Sequence, residues 1–371
     1  MPSRPQHKAG VVLMYDGVDA PEHEQAVHQG LAIRLATLLG ARFIDEDEAA
    51  HASDSNLYYL PSRTLIDSPR HALLGIRSEQ DLFGGVVDYP FMATKAISHP
   101  LPPGSHSPHG WTDAFAKACG DALLHGWTVF SLAEARVTGG QMLRSGAVRL
   151  KPVRASAGRG QVVVRDRPAL DTALATMSDD ELAVWGLVLE QNLTEVETFS
   201  VGQVRVAGIT ASYFGTQQLT HDNAGEEVYG GSTLTVVRGD LRKLSRLDVD
   251  GPTRLAIEQA LRYDSAADMH LAGFFASRRN YDIAQGKDED GVMRSGVLEQ
   301  SWRVGGASSA EVLALEAFAA DPMLDIVTAS THEVFGECTV PETATLFYQG
   351  DDAEVGRISK YAQIGIYEHP Q

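Results

Sequence analysis

The chain has 371 residues, a formal net charge of -18 and a hydrophobic fraction of 43%. That length exceeds what one compact core normally holds, so two or three packed subdomains are expected. The negative charge repels nucleic acid and anionic lipid and excludes a general nucleic-acid binder, and no stretch approaches the ~20 apolar residues of a membrane span.

The opening MPSRPQHKAGVVLMYDG is basic with only a short apolar run, so export is not indicated and a cytoplasmic location is expected. Cys119 and Cys338 match no metal or redox spacing and read as reduced structural thiols. GVVLM reads as a strand, EHEQAVHQGLAIRLATLLG as a helix closed by glycine, and ARFID as a second strand. The two histidines of HEQAVH are five positions apart and do not share a helix face, which argues against zinc there. LYYLPSRTL and LFGGVVDYPFMATKAI continue this α/β order. HPLPPGSHSPHG (99–110) reads as a linker, and WTDAFAKACGDALLHG as a helix.

AVRLKPV and QVVVRD then read as strands flanking the loop RASAGRG. PALDTALATMSDDELAVWG looks helical, LVLEQNL and ETFSVGQVRVAGITASYFG extended, and TRLAIEQALRYDSAADMHL helical again. NYDIA and GVLEQSW read as strands joined by an acidic glycine turn, followed by the helix SSAEVLALEAFAAD. The rest reads as a mixture of short strands and turns. The stretches 84–99, 215–232 and 329–337 are polar and glycine-rich. They read as substrate loops over a rigid scaffold, with Lys95, His221, Glu227, Tyr229 and Arg238 as candidates.

Two stretches carry the chemistry. RLKPVRASAGRGQVVV (149–164) gathers Arg149, Lys151, Arg154 and Arg159 around two glycines in an otherwise acidic chain. Small residues let backbone N–H groups approach phosphate oxygens, and a lysine pinned on the adjoining strand supplies charge. It fits neither GxxxxGK[ST] nor GxGxxG, and a basic hairpin turn is the plain alternative. In LEQSWRVGGAS (298–308), Glu299, Ser301 and Arg303 alternate along a strand and project from one face. A carboxylate suits magnesium, which takes one or two acids together with phosphates. Asp282 on the neighbouring strand supplies a second acid, and Arg303 offers a planar fork to a phosphoryl or carboxylate group. The plain alternative is a salt-bridged strand end.

Taken in order, these features resemble the ATP-grasp superfamily, and within it the carboxylate–amine ligase-like branch. The closest match is to an uncharacterised proteobacterial family of ATP-grasp-like proteins. The resemblance runs over about residues 125 to 310. It implies an α+β fold in which two lobes sandwich ATP: an N-terminal α/β pre-ATP-grasp domain (1–105), a small lobe (106–192), a large lobe (193–325) and a C-terminal extension packed on the core (326–371). It implies ATP and Mg2+ as cofactors. Lys151 matches the lysine on the phosphates, and Ser156, Gly158, Arg159 and Gly160 belong to the loop that covers them. Glu190, Gln191, Asn192 and Leu193 match the hinge whose backbone reads the adenine edge, Glu197 the acid on the ribose, and Lys95 a second lysine reaching ATP. Asp282 and Glu299 match the magnesium carboxylates and Arg303 the arginine near the transferred phosphoryl. Ser301 departs from the family, standing where an asparagine usually ligates magnesium.

The implied reaction is ADP-forming: a small-molecule carboxylate becomes an acyl phosphate and an amine displaces phosphate. The alternatives are a non-catalytic nucleotide-binding protein and an ATP-grasp kinase or carboxylase. Small molecules are the expected partners, without nucleic acid or membrane, and a homodimer is left open.

Overall fold

The computed structural model describes residues 7–15, 20–45, 48, 56–154 and 160–366. Near the N-terminus β1 (Gly10–Met14) pairs in parallel with β2 (Arg42–Ile44) on one side and β3 (Leu57–Pro61) on the other. Helix Glu22–Leu39 connects the first two of these strands. It stops where Gly40 takes a left-handed φ of 63°, a conformation that costs glycine nothing. A short sheet of β4 (Leu65–Ile66), β5 (Gly85–Val87) and β13 (Phe275–Ala276) ties this region to the later chain. Its central β5 pairs with Phe275 and Ala276 across nearly 200 residues of sequence.

Two antiparallel sheets form the rest. The smaller has the order β6 (Gly126–Val129), β9 (Leu187–Gln191), β7 (Val148–Pro152), β8 (Val162–Val164). The larger has eight strands, ordered β15 (Met293–Ser301), β14 (Arg278–Lys287), β10 (Thr194–Val206), β11 (Ile209–His221), β12 (Glu227–Arg238), β16 (Ile326–Phe335), β18 (Gly356–Ile366) and β17 (Thr345–Asp352). The mixture of helices and predominantly antiparallel sheets is the expected α+β class.

Alternation along the large sheet decides what covers each face. Phe199, Val201, Tyr281, Ile283 and Val237 point into a core shared with helix Gly251–His270. Their neighbours Val204, Tyr213, Leu234, Val236 and Val327 point the other way, onto helices Ser308–Ala320 and Glu22–Leu39. On that second face the apolar cover gives way to polar side chains at Ser200, Asn280 and Asp282; Ser200 of β10 stands opposite Asp282 of β14, and Gly202 opposite Asn280.

Three sequence expectations need correction. The chain after residue 325 is not a mixture of short pieces; it forms β16, β17 and β18, of 10, 8 and 11 residues, and extends the large sheet. Residues 215–232 are not a loop, because β11 and β12 run through them as a hairpin. Residues 329–337 lie mostly in β16. Polar residues hid these strands, since a sheet face that lines a site lacks the apolar alternation that marks a half-buried strand. Cys119 and Cys338 are both free, and burial pushes the Cys119 thiol up to about 12.

Candidate functional site

The antiparallel register of β14 and β15 sets Asp282 opposite Glu299 and Asn280 opposite Ser301. Just past Ser301, Trp302 turns fully inward and packs at a tilt on Phe274 with ring centroids 4.2 Å apart, which fixes the phase of the alternation. β15 ends at Ser301, so Arg303 leaves from the turn that follows. Burial and the neighbouring Glu299 carboxylate push Asp282 up to about 6. Burial would raise Glu299 too, but the Lys95 ammonium at 2.5 Å holds it below its ordinary value. Lys95 comes from the 3-10 turn Lys95–Ser98 and is 5% exposed.

Arg303 is only partly compensated, by Glu299 and Glu24 acting without a close ion pair. Burial lowers its pKa, and its Nη1 donates to the carbonyl of Val304 at 2.8 Å. Among the described residues no carboxylate pairs with it. Ser301 is engaged differently: its Oγ accepts from Arg278 Nη1 at 3.0 Å. Gly306, just beyond, lies against the Tyr229 ring, where a methyl group would come within 2.6 Å. The Tyr229 hydroxyl meets Ser232 Oγ at 2.7 Å and Thr331 Oγ1 at 3.1 Å.

A second cluster belongs to the smaller sheet. Lys151 on β7 and Glu190 on β9 are diagonal neighbours, 2% and 1% exposed, and form a short ion pair through Glu190 Oε1. Glu190 Oε2 faces His99 Nε2 at 3.0 Å. Burial works against both charges, lowering Lys151, yet Lys151 and His99 hold Glu190 down to about 2. Gly126 leaves room for the imidazole, since a Cβ there would stand 3.0 Å from the His99 ring.

The remaining hinge and loop positions divide. The Gln191 and Asn192 amides donate to His125 and Ala147 carbonyls at 2.9 and 3.1 Å, and the Asn192 side chain accepts from Arg149 at 2.8 Å. Leu193 packs with Leu124 and Ala284. Glu197 is exposed, beside the irregularity that shifts the β10/β14 register between Thr194 and Glu197. Gly160, at a φ of 70°, follows the glycine loop; Ser156, Gly158 and Arg159 lie outside the described residues. Of the other polar candidates, His221 and Glu227 are exposed where the β11–β12 hairpin turns. Arg238 donates to the carbonyls of Phe318, Asp321 and Leu324, tying down the end of a helix.

Sequence reasoning missed His99, Tyr213, Arg278, Asn280 and Glu311. Arg278 and Asn280 stand four and two positions before Asp282, on the same face of β14, so the period of two that singled out Glu299 would have found them. His99 was hidden inside a stretch read as linker.

Among the described residues no group of three or more His, Cys, Asp or Glu stands together to hold a metal ion. The donor set on offer is instead one pair of adjacent carboxylates, each raising the other's need for a counter-charge. This fits magnesium, which keeps waters and takes phosphate oxygens for its other positions. Lys95, Lys151 and Arg303 are the cations available to an anionic ligand beside it.

Among the described residues no helix is long and apolar enough to cross a membrane. No curated protein matches the chain. Among solved structures, a biotin carboxylase from Campylobacter jejuni in complex with beta-gamma-ATP matches with a TM-score of 0.51 at 10% identity, over 97% of this chain and 88% of that one. A D-alanyl-alanine synthetase A from Vibrio cholerae matches at 0.48 and 12% identity, over 85% of this chain and 98% of that one. The first likeness shows the ATP-grasp fold. The model of the family described as protein of unknown function (DUF3182) matches residues 11–362, and the chain, built on the ATP-grasp fold, belongs to that family.

Proposed function

We propose that the protein is a magnesium- and ATP-dependent ligase that activates a small-molecule carboxylate for attack by an amine. The observation that carries this reading is the convergence of the Asp282–Glu299 acid pair of the large sheet with Lys95, from the 3-10 turn Lys95–Ser98, and with Arg303, from the turn after β15. Asp282 and Glu299 hold the magnesium ion, which when bound neutralises charge on the phosphates. Lys151 and Lys95 exchange their present carboxylate partners for phosphate oxygens. Gly160 offers its backbone N–H to the same phosphates, and the Glu190–Leu193 segment with Glu197 faces the nucleoside.

Arg303 has donors to spare, so it orients the substrate carboxylate and stabilises the charge that develops as its oxygen takes the phosphoryl group. The amine then displaces phosphate. Tyr229, Ser232 and Thr331 offer that second substrate a hydroxyl-lined sheet face next to the Gly305–Gly306 turn.

The test is thermal stabilisation by magnesium and ATP. Wild type is expected to gain several degrees at ligand well above its dissociation constant, because a ligand that binds only the folded state stabilises it. Glu299→Gln and Arg303→Gln should lose most of that gain. ADP release in a carboxylate and amine panel then tests the chemistry. Equal gains in wild type and Glu299→Gln would sink the metal assignment.

A further inference from the structure

Behind the acid pair runs a buried polar chain that the proposed reaction does not use. Arg278, on β14, is 1% exposed and lies against Glu311, which is 0% exposed, on helix Ser308–Ala320. Its Nε and Nη2 donate to the Glu311 carboxylate at 2.8 to 3.1 Å. Its Nη1 reaches three oxygens of the neighbouring strand end: Ser301 Oγ at 3.0 Å, the Ser301 carbonyl at 3.1 Å and the Arg303 carbonyl at 2.7 Å. One guanidinium therefore fixes both the end of β15 and the backbone that launches Arg303. Burial works against its charge, but Glu311 holds its pKa above the ordinary arginine value.

The chain continues towards Asp282. The Tyr213 hydroxyl lies 2.5 Å from Glu311 Oε1 and 2.8 Å from Asn280 Oδ1, sharing its proton between two acceptors. Ser200 Oγ also donates to Asn280 Oδ1, at 2.8 Å, and stands 3.3 Å from Asp282 Oδ1. Asn280 Nδ2 donates to the same Asp282 oxygen at 2.9 Å. Gly202 on β10 permits this crossing, since a methyl group there would overlap the Tyr213 hydroxyl.

We infer that Arg278, Glu311, Tyr213 and Asn280 are positioning residues for the metal-binding strand pair, and that Ser301 anchors Arg278 rather than serving as a third metal ligand. The Ser301 hydroxyl already accepts from a cation, and a second cation bound to the same oxygen would meet that charge directly. The Asn280 amide oxygen, across the strand from Ser301, already accepts from two hydroxyls. What the chain leaves to the metal is Glu299 and Asp282, the latter aimed by the Asn280 amide and by a hydrogen bond with the Gln217 side chain. Buried partners of this kind commonly set metal affinity by 10- to 100-fold.

This inference rests on the magnesium reading above. Its test is Mn2+ binding, read by electron paramagnetic resonance on the full chain with ADP present. Tyr213→Phe is expected to weaken Mn2+ ~10-fold or more while its thermal midpoint stays close to wild type. Ser301→Ala should change it less than ~3-fold, and Glu299→Gln should abolish binding. A purely structural Tyr213 would instead lower the midpoint and leave Mn2+ affinity alone, which overturns the inference. So would a Ser301→Ala variant as defective as Glu299→Gln. Should Tyr213→Phe fail to fold, Ser200→Ala probes the other end of the chain with a smaller cut, and unchanged Mn2+ affinity there overturns the inference as well. A wild type that binds no Mn2+ removes the magnesium reading and this inference together; wild-type binding that ignores the tyrosine removes the inference alone.

Discussion

The two charged clusters are built from the same residue types and end in opposite states. On the small sheet, Lys151, Glu190 and His99 close on one another, with each Glu190 oxygen matched to one partner. On the large sheet, Asp282 and Glu299 sit side by side, Lys95 answers only one of them, and Arg303 feels Glu299 and Glu24 but forms no ion pair among the described residues. The first cluster is electrostatically complete without a ligand. The second carries repulsion between its acids and a cation without a paired carboxylate, which is the condition of a site shaped for something else. The contrast gives the small-sheet cluster the larger part in stability, its Lys151 turning to phosphate only when nucleotide is bound, and leaves the large-sheet cluster the one that needs a ligand.

Breaking the complete cluster should have the larger effect on stability. Lys151→Met strands Glu190 in the interior with half its counter-charge, and an uncompensated buried carboxylate of this kind costs ~3–5 kcal/mol. Chemical denaturation checks it, and a loss below about 1 kcal/mol would mean that His99 suffices. The incomplete cluster should respond with the other sign. Asp282→Asn removes a carboxylate whose pKa of about 6 reports its crowding by burial and Glu299. The ligand-free variant should gain about 1 kcal/mol at pH 7, a value that already discounts the partial exposure of the group. It should lose Mn2+ binding at the same time, the exchange of stability for function expected at an active site. A variant destabilised without ligand would erase the distinction between the clusters.

How much of this was legible beforehand follows the range of the interactions. The alternation of Glu299, Ser301 and Arg303 is local, and their strand and its partner through Asp282 lie within one hairpin. The helices at Glu22–Leu39 and Ser308–Ala320 announce themselves by apolar content and by glycine or acidic ends. Contacts across distant sequence carry no such mark. His99 meets Glu190 across 91 positions, and Lys95 meets Glu299 from a turn that read as one polar loop among several. β16 was missed because its Ser330, Thr331 and His332 look like a loop; the structure spends them on Tyr229 and Tyr361 instead. The Arg278–Glu311 pair joins a strand to a helix 33 positions later, and nothing local told Glu311 apart from Glu316 in the same helix.

The smallest expected effect separates the clusters by pH. Asp282 has a folded-state pKa of about 6 against an ordinary 3.8, so the folded protein holds more protons than the unfolded chain between those values. Its contribution is therefore most favourable below about 4 and is lost as pH rises through about 6. His28, on the helix Glu22–Leu39, works the other way: burial, with Arg303 and Lys360 adding to it against Glu24, lowers it from 6.5 to about 4. A buried neutral imidazole gives stability that grows as pH rises from about 4 to 6.5. The two slopes oppose each other in nearly the same window. Asp282→Asn removes the falling slope alone, and its stability relative to wild type should therefore increase between pH 4 and 6.5. His28→Asn should do the reverse. The reading comes from the difference between paired denaturation curves, in which all other titrations cancel. A difference that stays flat for Asp282→Asn would mean that Lys95 and Asn280 already balance the acid pair, and the large-sheet cluster would then be as complete as the small one.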